Sequence, residues 1–142
     1  MVAALEEGRK TTKMGEKEER MDFTERLELY REGDMITDEN VKTILEIIAM
    51  FREKYDIVLC EENADTFIAH LCAAFFRVRT GEPVEPLMEE VFAEVKETET
   101  YPLSVEMLKN IEAILGGPFV REEQEYVLLH INSLLDKLQA QP

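Results

Sequence analysis

The chain has 142 residues, which is enough for one domain with a substantial buried core. Its 16 basic and 31 acidic side chains give a net charge of −15, which repels nucleic-acid phosphates and anionic lipid headgroups, so we expect no direct nucleic-acid binding. No apolar run approaches the roughly 20 residues of a membrane span, and the charged N-terminus lacks the apolar stretch of a signal peptide. The only two cysteines, Cys60 and Cys72, have no CxxC spacing, and the composition predicts a soluble, cytoplasmic protein.

Two N-terminal segments precede the main domain. Residues 1–20 are polar and rich in Glu and Lys, without apolar periodicity, and are predicted to be disordered. Residues 21–36 are predicted to form an N-terminal extension with a short helix over 22–32, ended by Gly33. The apolar side of that helix would be formed by Phe23, Leu27 and Tyr30. The main domain is predicted over residues 37–142.

Five stretches of the main domain carry apolar residues three, four and seven positions apart, the spacing of an amphipathic helix. These helices are predicted to begin near residues 38, 63, 86, 105 and 121. The signals that bound them are N-caps at Thr37 and Ser104, C-caps at Gly81 and Gly116, and Pro86 in a first turn. Their predicted buried faces include Leu45, Val78, Leu87, Val91 and Phe92. No segment alternates with a period of two, so the predicted fold is all-α, a compact antiparallel five-helix bundle.

The two histidines of the chain, His70 and His130, lie in separate predicted helices at the margins of their apolar stripes. An uncharged imidazole can act as a nucleophile, a base or a metal ligand near neutral pH. On the helical surface His70 is aligned with Arg77, while His130 is aligned with Glu123 and flanked by Tyr126. The alternative interpretation is that both are ordinary half-buried core histidines.

Familiar catalytic and metal-binding patterns are missing from the sequence. A helical di-metal site requires Glu-x-x-His, but Phe67 and Val127 occupy the glutamate positions. There is no HExxH, no His/Cys spacing for zinc, no GxSxG and no glycine-rich phosphate loop. We therefore expect no metal, no cofactor and no enzymatic activity.

Four landmarks in the sequence resemble the PTS regulation domain (PRD) family. Residues 62–77, ENADTFIAHLCAAFFR, are similar to the first signature of that family, with His-Leu followed by an arginine seven positions after the histidine. Tyr101-Pro102 resembles the start of its penultimate helix, and residues 123–131, EQEYVLLHI, are similar to its second signature. The 60-residue separation of the histidines is also typical of the family, and the resemblance covers about residues 37–138.

This resemblance implies a five-helix bundle, often dimeric, that senses the state of the sugar phosphotransferase system (PTS). It implies that His70 and His130 accept phosphate from the phosphocarrier HPr or an enzyme II component. Arg77 would orient or compensate the phosphate near His70, or would form an ordinary surface salt bridge. Glu123 would hold the His130 ring in one tautomer, or would favour the first turn of its helix through the dipole. Tyr126 is the remaining supporting residue.

The chain departs from the familiar PRD regulators, which carry two such domains and a nucleic-acid-binding module. It has one copy, and we expect a stand-alone domain that acts through protein–protein contacts in transcriptional regulation. The apolar edge around Ala73 and Phe76 predicts a homodimer. The alternative function is a structural or scaffolding helical bundle whose histidines are not phosphorylated.

Overall fold

The computed structural model describes residues 23–140, which contain six helices and no strand. The first helix, α1, covers residues 23–32 of the described chain. It is followed by α2 (Asp38–Tyr55), α3 (Glu61–Thr80), α4 (Glu89–Lys96), α5 (Tyr101–Leu115) and α6 (Arg121–Ala140). The all-α prediction is confirmed, and the predicted disorder of residues 1–20 lies outside the described residues.

The C-terminal helix α6 lies at the centre of the bundle. It packs most extensively against α3 and α5, and it also contacts α4. The buried face of α6 is formed by Val127, Leu128, Ile131, Leu134 and Leu135. Since α6 packs against α3, α4 and α5 at once, these contacts together fix its position along α3. That position determines which side chains of α3 it contacts.

Helix α1 belongs to the same core as the five main helices. Its Phe23 and Leu27 are fully buried in the main hydrophobic cluster. Arg26 forms ion pairs with Glu61 and Asp65, both in the first turns of α3. The predicted N-terminal extension is therefore packed as part of the bundle.

Several predicted helix boundaries are confirmed by backbone geometry. Thr37 caps α2, since its Oγ1 accepts a hydrogen bond from the Asn40 backbone N–H and the Asn40 side chain accepts one from the Thr37 N–H, each at 3.1 Å. Gly81 and Gly116 end α3 and α5 with φ angles of 78° and 89°. That left-handed conformation suits glycine because it has no Cβ to clash with the carbonyl.

The starts of α4 and α5 that were predicted from Pro86 and Ser104 were wrong. Helix α4 begins at Glu89, so Pro86 lies in the preceding loop. Helix α5 begins at Tyr101, the start that the resemblance of Tyr101-Pro102 implied, because Pro102 is tolerated in a first turn where its missing N–H would have no helical partner. Ser104 is therefore not an N-cap but a fully buried residue inside the helix.

Some predicted core positions are also corrected. In α2 the buried direction is centred on Ile44, Ile47 and Phe51, and Leu45, about 100° away around the helix, is 41 % exposed. Val78 is 70 % exposed because α3 extends past the core, whose last α3 residue is Phe75. In α4 only Val95 is buried, and the predicted core residues Val91 and Phe92 are half-buried. Leu87, also predicted to be in the core, lies in the loop before α4 and is half-buried.

No helix among the described residues is long and apolar enough to span a membrane.

Candidate functional site

Helices α3 and α6 bring the two histidines together. His70 on α3 lies beside His130 of α6, with ring centroids 4.6 Å apart and planes inclined at 38°. Two turns further along α3, at Arg77, the contacts reach back to Glu123 at the start of α6. Contacts that advance along α3 while receding along α6 show that the two helices are antiparallel. This packing turns two residues 60 positions apart into one site.

Glu123 lies in the first turn of α6 and joins this helix to α3 through its contacts with His70 and Arg77. It is only 2 % exposed. Its Oε1 lies 3.0 Å from His70 Nε2, and Arg77 donates two hydrogen bonds to the carboxylate, Nε to Oε2 at 3.1 Å and an Nη to Oε1 at 2.9 Å. This bidentate contact joins the planar guanidinium to the planar carboxylate through two hydrogen bonds, so the pair is directional and charge-assisted. The buried charge of Glu123 is thereby fully compensated.

The protonation state of Glu123 determines how His70 bonds to it. Burial alone raises the pKa of this carboxyl, but the hydrogen bonds from His70 and Arg77, with the Arg77 charge, outweigh burial and hold the pKa below its ordinary value. An ionised carboxylate can only accept hydrogen bonds, so His70 Nε2 carries the proton and donates it. A phosphoryl group can bond to that nitrogen only after the His70–Glu123 hydrogen bond breaks.

His130 has a different environment. Burial, together with the positive charge that His70 can carry, lowers its pKa from 6.5 to about 4. Its imidazole is therefore uncharged near neutral pH, with a lone pair on one ring nitrogen. An uncharged imidazole is the nucleophilic form of histidine.

The structure places all five predicted site residues in one cluster, but with different partners from those predicted. Glu123 was expected either to hold the ring of His130 or to favour the first turn of its helix; it lies in the first turn of α6 and bonds to the ring of His70. Tyr126 was expected to flank His130, yet its ring stacks on that of His70, with centroids 5.5 Å apart and planes 26° from parallel. Arg77 contacts Glu123 and is not a fully exposed salt-bridge partner, since its side chain is 21 % exposed. The helical spacing correctly located the faces but did not specify the cross-helix pairs.

Two open grooves border the cluster. One, of about 530 Å³, lies beside Arg77 and Glu123, between the loop after α3 and the start of α6. The other, of about 300 Å³, is lined by His130 and by seven further residues, Asn63, Thr66, Phe67, Leu129, Ser133, Leu134 and Lys137. A group outside the bundle can therefore approach the cluster from either side.

A buried polar network supports the position of α6, and sequence reasoning missed it. The side-chain oxygen of Asn132, two residues after His130, accepts hydrogen bonds from the hydroxyls of Thr98, Thr100 and Ser104 at 3.1, 2.6 and 3.1 Å. Such a network holds the start of α5 against α6 on the side away from α3. Its sequence signal is a polar residue at a helix position that the apolar spacing assigns to the core.

Within residues 23–140, no three His, Cys, Asp or Glu side chains lie close enough together to bind a metal ion.

Comparison with protein families assigns the bundle. The model of the PRD domain matches residues 45–134, well over half of the chain, and the matched span contains all five residues of the cluster. The chain belongs to the PRD family. A search of curated proteins finds no match, and a search of solved structures also finds none. The resemblance stated from the two histidine segments is thus confirmed, and this PRD has its histidines in direct ring contact across α3 and α6.

Proposed function

We propose that this PRD is a cytoplasmic regulatory domain that senses the PTS through phosphorylation of His70 and His130. The donor would be HPr or an enzyme II component, and the output a protein–protein contact that contributes to transcriptional regulation. The observation that carries this proposal is the pair of imidazoles 4.6 Å apart, next to a guanidinium–carboxylate pair and bordered by open grooves.

The charge change on phosphorylation is what would make the site a switch. A phosphoryl group adds between one and two negative charges at neutral pH. Placed on either ring, it would lie close to the buried carboxylate of Glu123, and the two would repel each other. Arg77 carries the positive charge that either anion would attract. Phosphorylation is therefore expected to redistribute the contacts of Arg77 and to change the packing of α3 against α6.

We also propose that the regulated contact includes a second copy of the chain. Ala73 and Phe76 lie on α3 within two turns of His70, and both are only partly buried. The Arg79 guanidinium covers the Phe76 ring at 5.4 Å from its centroid, so this edge combines an aromatic surface with a positive charge. A dimer formed at this edge would lie near the histidines.

A structural helical bundle is the second candidate function. The observation that favours it is the complete pairing of Glu123, which leaves His70 and Arg77 satisfied without any ligand. In that case both histidines would only pack and hydrogen-bond.

The experiment that separates these candidates is phosphorylation by purified PTS proteins. The chain is incubated with enzyme I, HPr and phosphoenolpyruvate, and its intact mass is measured. We expect an acid-labile gain of phosphate in the wild type, a reduced gain in His70→Ala and His130→Ala, and none in the double variant. Since the chain contains only two histidines, the double variant is a complete control. No mass gain by the wild type, with either HPr or an enzyme II donor, would favour the structural bundle.

A further inference from the structure

The groove beside His130 has the chemical character of a phosphate-binding pocket. We propose that Thr66, Ser133 and Lys137 hold the phosphoryl group carried by His130, so that this groove, and not the His70 side, is the primary phosphate site of the chain. This inference rests on the proposed function and adds the residues that would select and stabilise the phosphorylated form.

Three uncommitted donors line this groove. Thr66 on α3 and Ser133 on α6 each offer a hydroxyl, and Lys137 on α6 offers an ammonium group. None of the three forms a hydrogen bond or ion pair with any described residue. Asn63, in contrast, is already engaged, since its Oδ1 accepts from the Cys60 N–H and its Nδ2 donates to the Val58 carbonyl.

Helical geometry directs Lys137 towards His130. The two residues are seven positions apart on α6, so they share one face, with Ser133 between them. Helical side chains tilt towards the N-terminus of their helix, so the Lys137 side chain leads back over Ser133 in the direction of His130. The Lys137 side chain is long enough for its amino group to approach a substituent on the His130 ring while its aliphatic stem lies along the groove.

The charge of the groove is unusual for this chain. The whole protein has a net charge of −15, yet no Asp or Glu is among the described residues that line this groove, and one lysine is. On the other side of the cluster, the buried Glu123 carboxylate faces His70 at 3.0 Å. A dianionic group on His70 Nε2 would therefore have to replace the contact with that carboxylate, whereas a dianionic group on the groove side of His130 would face Lys137 and no carboxylate of the groove.

The transfer step is chemically balanced with a phosphohistidine protein as donor. The lone pair of the uncharged His130 ring forms the new N–P bond as the N–P bond of the donor breaks and returns its electron pair to the donor imidazole. The proton on the other nitrogen of His130 becomes acidic once the ring is phosphorylated and is lost, while the donor ring gains one. Lys137 and the two hydroxyls would contact the phosphoryl oxygens and take no part in the proton transfer.

Phosphoramidate, a small chemical donor, tests the groove without any PTS protein. In a His70→Gln background only His130 can accept phosphate, and Lys137→Gln is compared with Lys42→Gln, which removes an exposed lysine of α2 outside the groove. We expect Lys137→Gln to slow phosphorylation about two- to fivefold, the effect of one partly exposed charge. The ³¹P NMR titration should show the pKa of the phosphoryl group about 0.5 higher in Lys137→Gln, whereas Lys42→Gln should leave rate and titration unchanged. Ser133→Ala and Thr66→Val should give smaller changes in the same direction.

Two results would overturn this proposal. One is identical rates and ³¹P titrations in the Lys137→Gln and Lys42→Gln variants, both confirmed as folded by circular dichroism. The other is the absence of phosphate on His130 after treatment of the folded wild type with phosphoramidate. A chain that takes phosphate from phosphoramidate in a Lys137-dependent way, but never from HPr or an enzyme II component, would support the groove and contradict the proposed PTS function.

Discussion

The two histidines of this PRD are in contact but have different chemical partners. His70 donates Nε2–H to a carboxylate and stacks on Tyr126, whereas His130 has an uncharged ring that borders an open groove. The difference arises because Glu123 reaches one ring and not the other. At the scale of single residues, His70 is therefore the ring anchored by a carboxylate, and His130 is the ring that faces an open groove.

The low pKa of His130 predicts a specific dependence of stability on pH. Its pKa is about 4 in the folded chain and near 6.5 when exposed, so between these values the unfolded chain binds a proton that the folded chain does not. Stability is therefore lost as the pH falls from 6.5 towards 4, by about 2 kcal/mol for this residue. Urea unfolding of the wild type and of His130→Gln at several pH values measures the effect, since the glutamine cannot titrate. The difference between the two free energies of unfolding should change by that amount between pH 7 and pH 4.5. Parallel pH profiles would show that His130 titrates normally.

At the scale of helices, the Arg77–Glu123 pair joins α3 to α6. It lies at the end of the interface where α6 begins, and it acts with the ring contact of His70 and His130 further along. On the opposite side of α6, the Asn132 network joins it to the start of α5. Helix α6 is thus held by directional polar contacts on two sides in addition to its apolar face.

Removal of the Glu123 charge is expected to weaken this helix pair. Glu123→Gln leaves the Arg77 guanidinium without its counter-charge, and we expect the free energy of unfolding to fall by about 2 kcal/mol. This is less than the full cost of an unpaired buried charge, because Arg77 is partly exposed. The neighbouring Glu122→Gln is the matched control, because Glu122 is exposed. Its replacement should lower the free energy of unfolding by less than about 0.5 kcal/mol. Urea unfolding midpoints provide the comparison.

A double variant distinguishes the ion pair from simple loss of packing. If the two charges depend on each other, Glu123→Gln combined with Arg77→Met should cost less than the sum of the single changes. Equal stability of Glu123→Gln and Glu122→Gln would show that the pair contributes nothing to the packing of α3 on α6.

At the scale of the whole molecule, the net charge of −15 opposes self-association, and an apolar edge favours it. Homodimers usually bury apolar cores that exclude charge. The partly buried Phe76, near the histidines, is the residue of this edge with the largest apolar surface. Added salt screens the repulsion between two acidic chains and should therefore strengthen a dimer.

We expect the wild type to dimerise and Phe76→Glu to be monomeric, because the new carboxylate would be buried without a partner and repelled by the acidic second chain. Leu45→Glu is the control, since Leu45 is also partly exposed but lies on α2. Light scattering coupled to size exclusion, over a concentration series, measures the mass of each variant. A wild type that stays monomeric at high micromolar concentration, or a Leu45→Glu variant that dissociates equally, would contradict a dimer at this edge.

Much of the fold was determined by the sequence alone. The 3.6-residue apolar period predicted the helices, and Thr37, Gly81 and Gly116 marked three of their ends correctly, because caps act through backbone groups only a few residues away. The boundaries that failed, at Pro86 and Ser104, are those where a proline is compatible both with a first turn and with a loop. The two histidine segments, Tyr101-Pro102 and the 60-residue separation of the histidines also identified the family, because residue identities and their spacing along the chain do not depend on how the helices pack.

Only the tertiary structure decided which side chains meet. The spacing along α6 put Glu123 on the same face as His130, but the antiparallel packing of α3 brought it to His70 and Arg77 instead. The same packing brought Thr66 of α3 next to the α6 face that carries His130, Ser133 and Lys137, and so formed a groove that was not predicted from the sequence. A helix sequence specifies a face through its own periodicity, whereas the pairing of two faces depends on how far one helix is shifted along the other. That shift is set by the packing of the entire core, so it has no signature in either segment.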